Sequence, residues 1–337
     1  MRKALGFTLL ELMIAMFIGI LLLGGVIATY VGMKATTNDT MSIGELQEKG
    51  RLALSILRRD IEQVGFWGTF YDEGFTEDNQ IAPNNPGNDC AGSINNGSFP
   101  NNQPADFRPI TAVFTQNGNA MNCVTNAVND SEVLQVKFLE GDPVPITGLN
   151  PDMGEVSNNQ FYFIAQQEQA QFVAGNNVGV MPSVNATLWP YSHHVYYLSE
   201  ETQMINNRSL TIPVLRRQRL RVGGMSDELV IEGVERIRFV YGLDTDYDGR
   251  IDQYRNTNSM SLGDWGNTRG ILSLQMFVLV RALEPDPSFG VKSRTYILGN
   301  DNAADTERTF TFTDSFRRTV FTTTVSMYNM GDSSWSI

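Results

Sequence analysis

The chain has 337 residues and a formal net charge of −12, with 37 acidic and 25 basic side chains. This length exceeds the ~100–200 residues of a typical domain, so it allows one large domain or two smaller ones with a sizeable core. An acidic surface argues against nucleic acid or anionic lipid as the main partner of the whole protein and suits divalent cations better.

An apolar segment near the N-terminus is the strongest feature of the sequence. No charged residue occurs from residue 12 to residue 33, and a helix of that length spans the ~30 Å hydrocarbon core of a bilayer at ~1.5 Å per residue. Arg2 and Lys3 precede the segment and, under the positive-inside rule, keep the N-terminus in the cytoplasm. We therefore expect residues 7–33 to form a membrane-spanning helix and the rest of the chain to be exported.

Glu11 lies inside this apolar segment. A carboxylate in a spanning helix costs ~2.5–3.5 kcal/mol on insertion scales, and such residues are functional by default and have a partner. The alternative interpretation is an ordinary secretory signal peptide, with Val26 and Ala28 as the small residues before a cleavage site. A signal peptide has no reason to contain a carboxylate in its apolar region, and that region is normally shorter than residues 12–33. The sequence therefore favours a functional partner for Glu11.

The sequence from Gly6 to Glu11, which reads GFTLLE after a short basic leader, resembles the processing site of type IV prepilins. The resemblance implies that a prepilin peptidase cleaves between Gly6 and Phe7, removes residues 1–6 and methylates the new amino group. It also implies that Glu11 pairs with the amine of a neighbouring subunit and sets the axial register of assembly. Opposite charges that meet in a low-dielectric bundle offset part of each other's desolvation cost.

Apolar residues continue at three- and four-residue spacing beyond the membrane segment, which predicts a helix with one buried stripe. The spacing is carried by Leu46, Ala53, Leu54, Leu57, Ile61 and Val64. Charged residues, Asp60 among them, are expected to fill the other sides, and Gly65 supplies a natural C-terminal stop. We expect one helix over residues 7–64, in which residues 34–64 form an amphipathic second half that packs against a sheet.

Residues 65–130 are rich in Asn, Gly and Pro and show neither helical nor alternating periodicity, so we assign them to a long loop insertion. The insertion holds both cysteines of the chain, Cys90 and Cys123. An even pair in an exported chain favours one disulfide, and closing a loop of this size stabilises a fold by ~3–4 kcal/mol. The residues of the insertion specify no ligand.

Residues 131–337 are predicted to form a β-rich exported domain. A long helix followed by many strands, without regular strand-helix alternation, predicts an α+β fold with an antiparallel sheet. This is also the pilin-like plan that the resemblance implies. The candidate strands, rich in Val, Ile, Phe, Tyr and Thr, are residues 132–139, 160–165, 194–199, 210–216, 229–243, 271–283, 294–298 and 319–328.

Residues 244–252 resemble the short calcium loops of extracellular proteins. Alternate carboxylates direct oxygens at one hard cation, and Gly249 permits the sharp turn. The candidate ligands are Asp244, Asp246, Asp248, Arg250 through its carbonyl, and Asp252. An EF-hand would have a glutamate where Arg255 stands. The other interpretation is an acidic turn held by Asx hydrogen bonds, but mutual repulsion of the aspartates favours calcium as a structural cofactor.

Arginines cluster at Arg216, Arg217, Arg219 and Arg221. They could grip DNA, lipid headgroups or an acidic partner, but an exposed strand protected from edge pairing and balanced by local acids is the favoured interpretation. His193 and His194 point to opposite faces of a strand, so we expect surface or packing residues and no shared metal site. Motifs such as GxSxG, HExxH or a phosphate-binding glycine loop do not occur, and we expect no enzymatic activity.

Three further segments resemble PilW-type minor pilins: residues 51–68, the RIRFVYGLD sequence that leads into the aspartate loop, and residues 316–329. The resemblance implies a subunit of the type IV pilus that joins the major pilin and other minor pilins in a priming complex at the filament tip. It also implies anchoring in the inner membrane, a periplasmic C-terminal domain, later extracellular exposure on the pilus, and a large PilY-type adhesin as a neighbour.

Such a subunit would support pilus-dependent adhesion, motility or DNA uptake. Two alternatives stay open. The J-type pseudopilin of type II secretion would use the same helix-and-sheet plan, and a calcium-dependent surface adhesin could use only a pilin-like anchor.

Overall fold

The computed structural model describes residues 8–71, 74–92, 95–100, 104–299 and 307–330. Its first helix, α1, runs from Leu9 to Glu62 without interruption. The expected single long helix is therefore confirmed. It ends shortly before Gly65, which has a left-handed φ of +84° that only glycine adopts easily.

Strands follow α1 for most of the remaining chain. In chain order the elements are β1 (Gln80–Ile81), β2 (Ile110–Phe114), β3 (Glu132–Leu139), β4 (Ile146–Thr147), β5 (Asn150–Pro151), β6 (Phe161–Ala165), β7 (Ala170–Ala174), β8 (Thr187–Ile205), β9 (Arg208–Arg221), β10 (Gly224–Glu232), β11 (Val234–Leu243), β12 (Gln253–Asn256), α2 (Leu262–Gly266), β13 (Ile271–Arg281), β14 (Lys292–Leu298), β15 (Arg308–Asp314) and β16 (Arg318–Ser326).

These strands form two main sheets that are largely antiparallel. The larger sheet has the order β1-β7-β6-β8-β3-β2, with β9 paired to β8 and β10 paired to β9, and the smaller sheet has the order β12-β11-β13-β16. The short strand β1 pairs with β7 in parallel. A long helix packed on antiparallel sheets is the predicted α+β architecture.

Gly233 carries the chain from the larger sheet into the smaller one. It has a φ of +94°, its N–H donates to the Pro213 carbonyl of β9 at 2.7 Å, and its carbonyl accepts from the Arg281 N–H of β13 at 2.7 Å. The prediction of a single strand over residues 229–243 is therefore wrong. The left-handed glycine divides it into β10 and β11, which belong to different sheets.

The first hydrophobic core lies between the second half of α1 and both sheets. Leu46, Ala53, Leu57 and Ile61 of α1 are all buried in it, together with side chains from β3, β11 and β13. The predicted buried stripe is confirmed. This packing fixes the β-rich domain to the second half of the helix.

A second core covers the opposite face of the larger sheet. Phe70, Phe99 and Phe107, all from the segment predicted to be a loop, pack there against Phe163 and Phe172. The same segment supplies β2, which pairs with β3 along its full length. The assignment of the segment to a long loop is therefore wrong at β2. The strand was not predicted because the apolar residues of the segment as a whole are too irregularly spaced to show periodicity.

Candidate functional site

Thr8 and Glu11 form a capping box at the start of α1. The Glu11 carboxylate accepts the Thr8 N–H at 2.9 Å, and the Thr8 hydroxyl oxygen accepts the Glu11 N–H at 3.3 Å. Gly6 and Phe7, the predicted processing site, lie outside the described residues. The Glu11 side chain is exposed, so a cationic group from another molecule can reach it.

The first half of α1 is an exposed apolar surface. Leu9, Phe17 and Leu22 are 78%, 66% and 67% exposed, and the helix is long and apolar enough to cross a membrane. None of its most apolar 18-residue stretch is buried against other described parts of the protein. Such a surface requires lipid or the helices of other subunits to cover it.

Asp60 joins the second half of α1 to the larger sheet. Its carboxylate accepts from His194 Nδ1 at 2.6 Å and from the Tyr196 hydroxyl, and the residue is 6% exposed. The expectation that Asp60 lies on an exposed side of the helix is wrong. Its position three residues after Leu57 and directly before Ile61, within the buried stripe, is the sequence signal that indicates burial.

His193 and His194 point to opposite faces of β8, as predicted, but neither is a surface residue. His193 contacts the Ser98 hydroxyl at 2.8 Å through Nδ1 and Gln135 Nε2 at 2.6 Å through Nε2, on the side of the second core. Burial lowers the pKa of both histidines, and the nearby Lys137 charge lowers that of His193 further. Both side chains are therefore neutral structural groups.

The arginine cluster is neutralised by acids within the larger sheet. The pairs are Arg216 with Glu201 and Asp227, Arg217 with Glu228 at 2.8 Å, Arg219 with Glu140 at 3.2 Å, and Arg221 with Glu228 at 3.1 Å. Balance by local acids is thus confirmed, whereas the edge position is wrong, because β9 lies between β8 and β10. This pairing argues against a nucleic-acid grip at the cluster.

The aspartate loop connects β11 to β12. Carboxylate oxygens of Asp244, Asp246 and Asp252 lie within 4.8 Å of one another. Asp248 is not part of this converging group, and its side chain accepts the Arg250 N–H at 2.8 Å. The hydrogen bond from the Asp248 N–H lowers the pKa of Asp246, but repulsion from the neighbouring aspartates outweighs it and the pKa is raised.

The same loop also contains the hydrogen bonds of an acidic turn. Asp244 accepts the N–H groups of Tyr247 at 2.7 Å and Gly249 at 2.8 Å, and Asp252 accepts the Thr245 N–H at 2.7 Å. These bonds hold the carboxylates in place. Bringing negative oxygens together in this way suits an added hard cation.

Cys90 and Cys123 form the disulfide that the sequence predicts. Cys90 is fully buried in the second core. The bridge therefore joins two parts of the insertion to each other beside the second core.

Two family models match the chain. Residues 195–329 match the model described as type IV pilus-assembly protein W, and residues 1–27 match the prokaryotic N-terminal methylation motif. The first match begins within β8 and includes the aspartate loop, whereas the second includes Gly6, Phe7 and Glu11. No curated protein and no solved structure matches the chain.

The methylation motif and the exposed apolar half of α1 together support anchoring in the inner membrane and incorporation into a pilus. The family match implies association with other pilus components and points to a structural, non-enzymatic protein. The two family-model matches together support a type IV pilus minor pilin of the PilW type, within the prepilin-like superfamily.

Proposed function

We propose that this minor pilin acts in a priming complex at the pilus tip, together with other minor pilins and above the major pilin. The observation that carries the proposal is the exposed apolar half of α1, which continues without a break into a domain with two main sheets and, among the described residues, three hydrophobic clusters. A domain of this bulk would crowd a repeating filament if every subunit carried it. At the end of the filament it meets no such restriction.

In this proposal the chain first crosses the inner membrane once, with Arg2 and Lys3 in the cytoplasm and the C-terminal domain in the periplasm. The prepilin peptidase then cleaves between Gly6 and Phe7, and Glu11 pairs with the amine of a neighbouring subunit. The capping box supports this role, because the Glu11 carboxylate already accepts an N–H group at the helix N-terminus. The charged amine of a neighbouring subunit would take the place of the neutral Thr8 N–H as the donor to Glu11, and a charged donor makes a stronger hydrogen bond to a carboxylate.

Above the complex we place a PilY-type tip adhesin, through which the pilus would serve adhesion, motility or DNA uptake. Deleting the gene tests the assignment, with surface pili counted by electron microscopy and attachment measured in parallel. We expect a strong loss of pili that is restored by the wild-type gene. Normal pili with failed attachment would indicate an adhesin with a pilin-like anchor, and normal pili with failed protein secretion would indicate a J-type pseudopilin.

We also propose that the aspartate loop holds a structural calcium ion. Asp244, Asp246 and Asp252 supply the converging oxygens, and Asp248 or the Arg250 carbonyl could complete the shell. The raised pKa of Asp246 supports the proposal, because a bound cation would relieve the repulsion that raises it. The ion would fix the connection between β11 and β12.

A further inference from the structure

A cavity of about 400 Å³ lies beside the disulfide, in the part of the protein built by the insertion. Thr111 of β2 and Gln135 of β3 lie in its floor, and its walls come from the loops that contain Gly92 and Asn122. Among the described residues, the lining of the cavity shares no residue with the Asp60 hydrogen bonds to β8 or with the aspartate loop. Clefts of ~300–1,000 Å³ are the usual size of small-molecule sites.

The walls of the cavity are held in place by covalent and hydrogen bonds. The Cys90–Cys123 disulfide joins the two loops directly next to the lining residues Ala91 and Asn122. Within the second loop, Gln116 and Asn119 exchange backbone hydrogen bonds at 2.9 and 3.0 Å. Because the walls are already ordered, the protein loses little conformational entropy when a ligand binds.

The floor presents polar side chains whose orientation is fixed. Asn95 Nδ2 and the Thr111 hydroxyl both donate to Gln135 Oε1, at 2.6 and 2.8 Å, and Gln135 Nε2 donates to the Cys90 carbonyl at 2.9 Å. All three side chains are buried. The floor side chains are therefore polar, uncharged and fixed in orientation, and behind them Lys137 Nζ donates to Asn95 Oδ1 at 3.1 Å.

The lining described for this cavity contains no charged residue, although the chain carries a net charge of −12. A charged ligand would lose hydration there without meeting a counter-charge among the lining residues. The rim instead carries the exposed side-chain amides of Gln116, Asn119 and Asn122. Asn119 Nδ2 donates one of its two hydrogens to the Asn117 carbonyl at 2.9 Å, which leaves each amide with a donor and an acceptor side by side, as a pair of neighbouring hydroxyl groups requires.

Apolar groups complete the lining. Val113, Phe114 and Met121 stand beside the amides and can cover C–H groups of a ligand. We infer that the cavity binds a neutral carbohydrate, as one or two sugar residues of a glycan. This binding function goes beyond pilus assembly and does not depend on where the subunit sits in the filament.

The test is direct binding to the purified full-length chain in detergent. A panel of neutral mono- and disaccharides is screened by saturation-transfer NMR, and the dissociation constant of each hit is measured by calorimetry. The double variant Gln116→Ala with Asn119→Ala should weaken binding about tenfold or more, because two exposed hydrogen-bonding groups are lost. Gln167→Ala removes an exposed amide from a different loop and should leave the affinity unchanged.

The two rim side chains are exposed, so an unchanged melting temperature verifies that the double variant folds. A second variant, Cys90→Ala with Cys123→Ala, releases the walls and should also weaken binding. The inference is overturned if no neutral sugar binds at millimolar concentrations, or if the rim variant binds as tightly as the wild type. Preference for a charged sugar or for an extended peptide would overturn it as well.

Discussion

Asp60 connects α1 to the larger sheet through buried hydrogen bonds. A buried carboxylate is tolerated only when its hydrogen bonds are satisfied, and here His194 and Tyr196 satisfy them from the neighbouring strand. Asp60 is 134 positions from His194 and 136 positions from Tyr196 in the chain. Their contact therefore holds the second half of α1 against the larger sheet.

Asp60→Ala should lower the free energy of unfolding by about 3 kcal/mol, because it leaves two buried donors without an acceptor. Glu62→Ala is the matched control on the same helix. It removes only the exposed pair with Arg58 and should cost less than ~1 kcal/mol. Urea unfolding of both variants measures the difference, and equal costs would show that the Asp60 contacts do not stabilise the fold.

Stability should fall as the pH drops below about 6.5, the ordinary pKa of histidine. Burial lowers the pKa of His193 and His194 below that value in the folded state. The unfolded chain therefore takes up their protons first, and acid favours unfolding by up to ~1.4 kcal/mol per pH unit for each histidine. Urea unfolding at pH 7 and pH 5 checks the slope, which His194→Gln should reduce. A wild-type stability independent of pH over this window would contradict the expectation.

If the aspartate loop holds calcium, chelation should lower the melting temperature of the wild-type protein. Asp246→Asn removes one converging carboxylate and should abolish the effect of the chelator. Asp142→Asn changes an exposed acid in another loop and should behave like the wild type. Identical melting with and without chelator in the wild type would reject the calcium proposal.

At the scale of whole elements, α1 was the most predictable part of the fold and the strands were less so. Apolar residues at helical spacing over many turns leave little choice of structure. By contrast, nothing in the spacing of residues 229–243 reveals that Gly233 turns the chain into another sheet. That turn follows from hydrogen bonds to Pro213 and Arg281, which come from distant strands.

The packing of α1 on β16 gives a test at this scale. A Cβ at Gly50 would lie 2.3 Å from the ring of Phe321, whereas a Cβ at Gly44 would meet no atom within 4 Å. Gly44→Ala should stabilise the protein by up to ~1 kcal/mol through helix propensity. Gly50→Ala should destabilise it by ~1–3 kcal/mol because the contact is overpacked. Thermal unfolding compares the two, and equal stabilisation would mean that α1 does not pack on β16 as described.

In the molecule as a whole, the central part of the larger sheet is buried on both faces, by α1 and the smaller sheet on one side and by the insertion on the other. Every residue of β3 is buried as a result. Sequence patterns identified Glu11 and the aspartate loop because their residues are close together in the chain. The contact of Asp60 with His194 and Tyr196 and the cavity beside the disulfide were not predicted, because their residues are distant in sequence and come together only in the folded protein.

We expect the chain to enter pili through its N-terminal helix, with Glu11 as the group that pairs with another subunit. The most direct measurement compares sheared pili from cells that express the wild type, Glu11→Ala or Glu48→Ala, with the amount of this subunit quantified by immunoblot. Glu48 is an exposed glutamate farther along the same helix. Equal total amounts of processed protein in the cells serve as the reference.

Glu11→Ala should still be cleaved after Gly6 but should be depleted severalfold from the pili, whereas Glu48→Ala should be incorporated like the wild type. Incorporation of Glu11→Ala at the wild-type level would contradict the account.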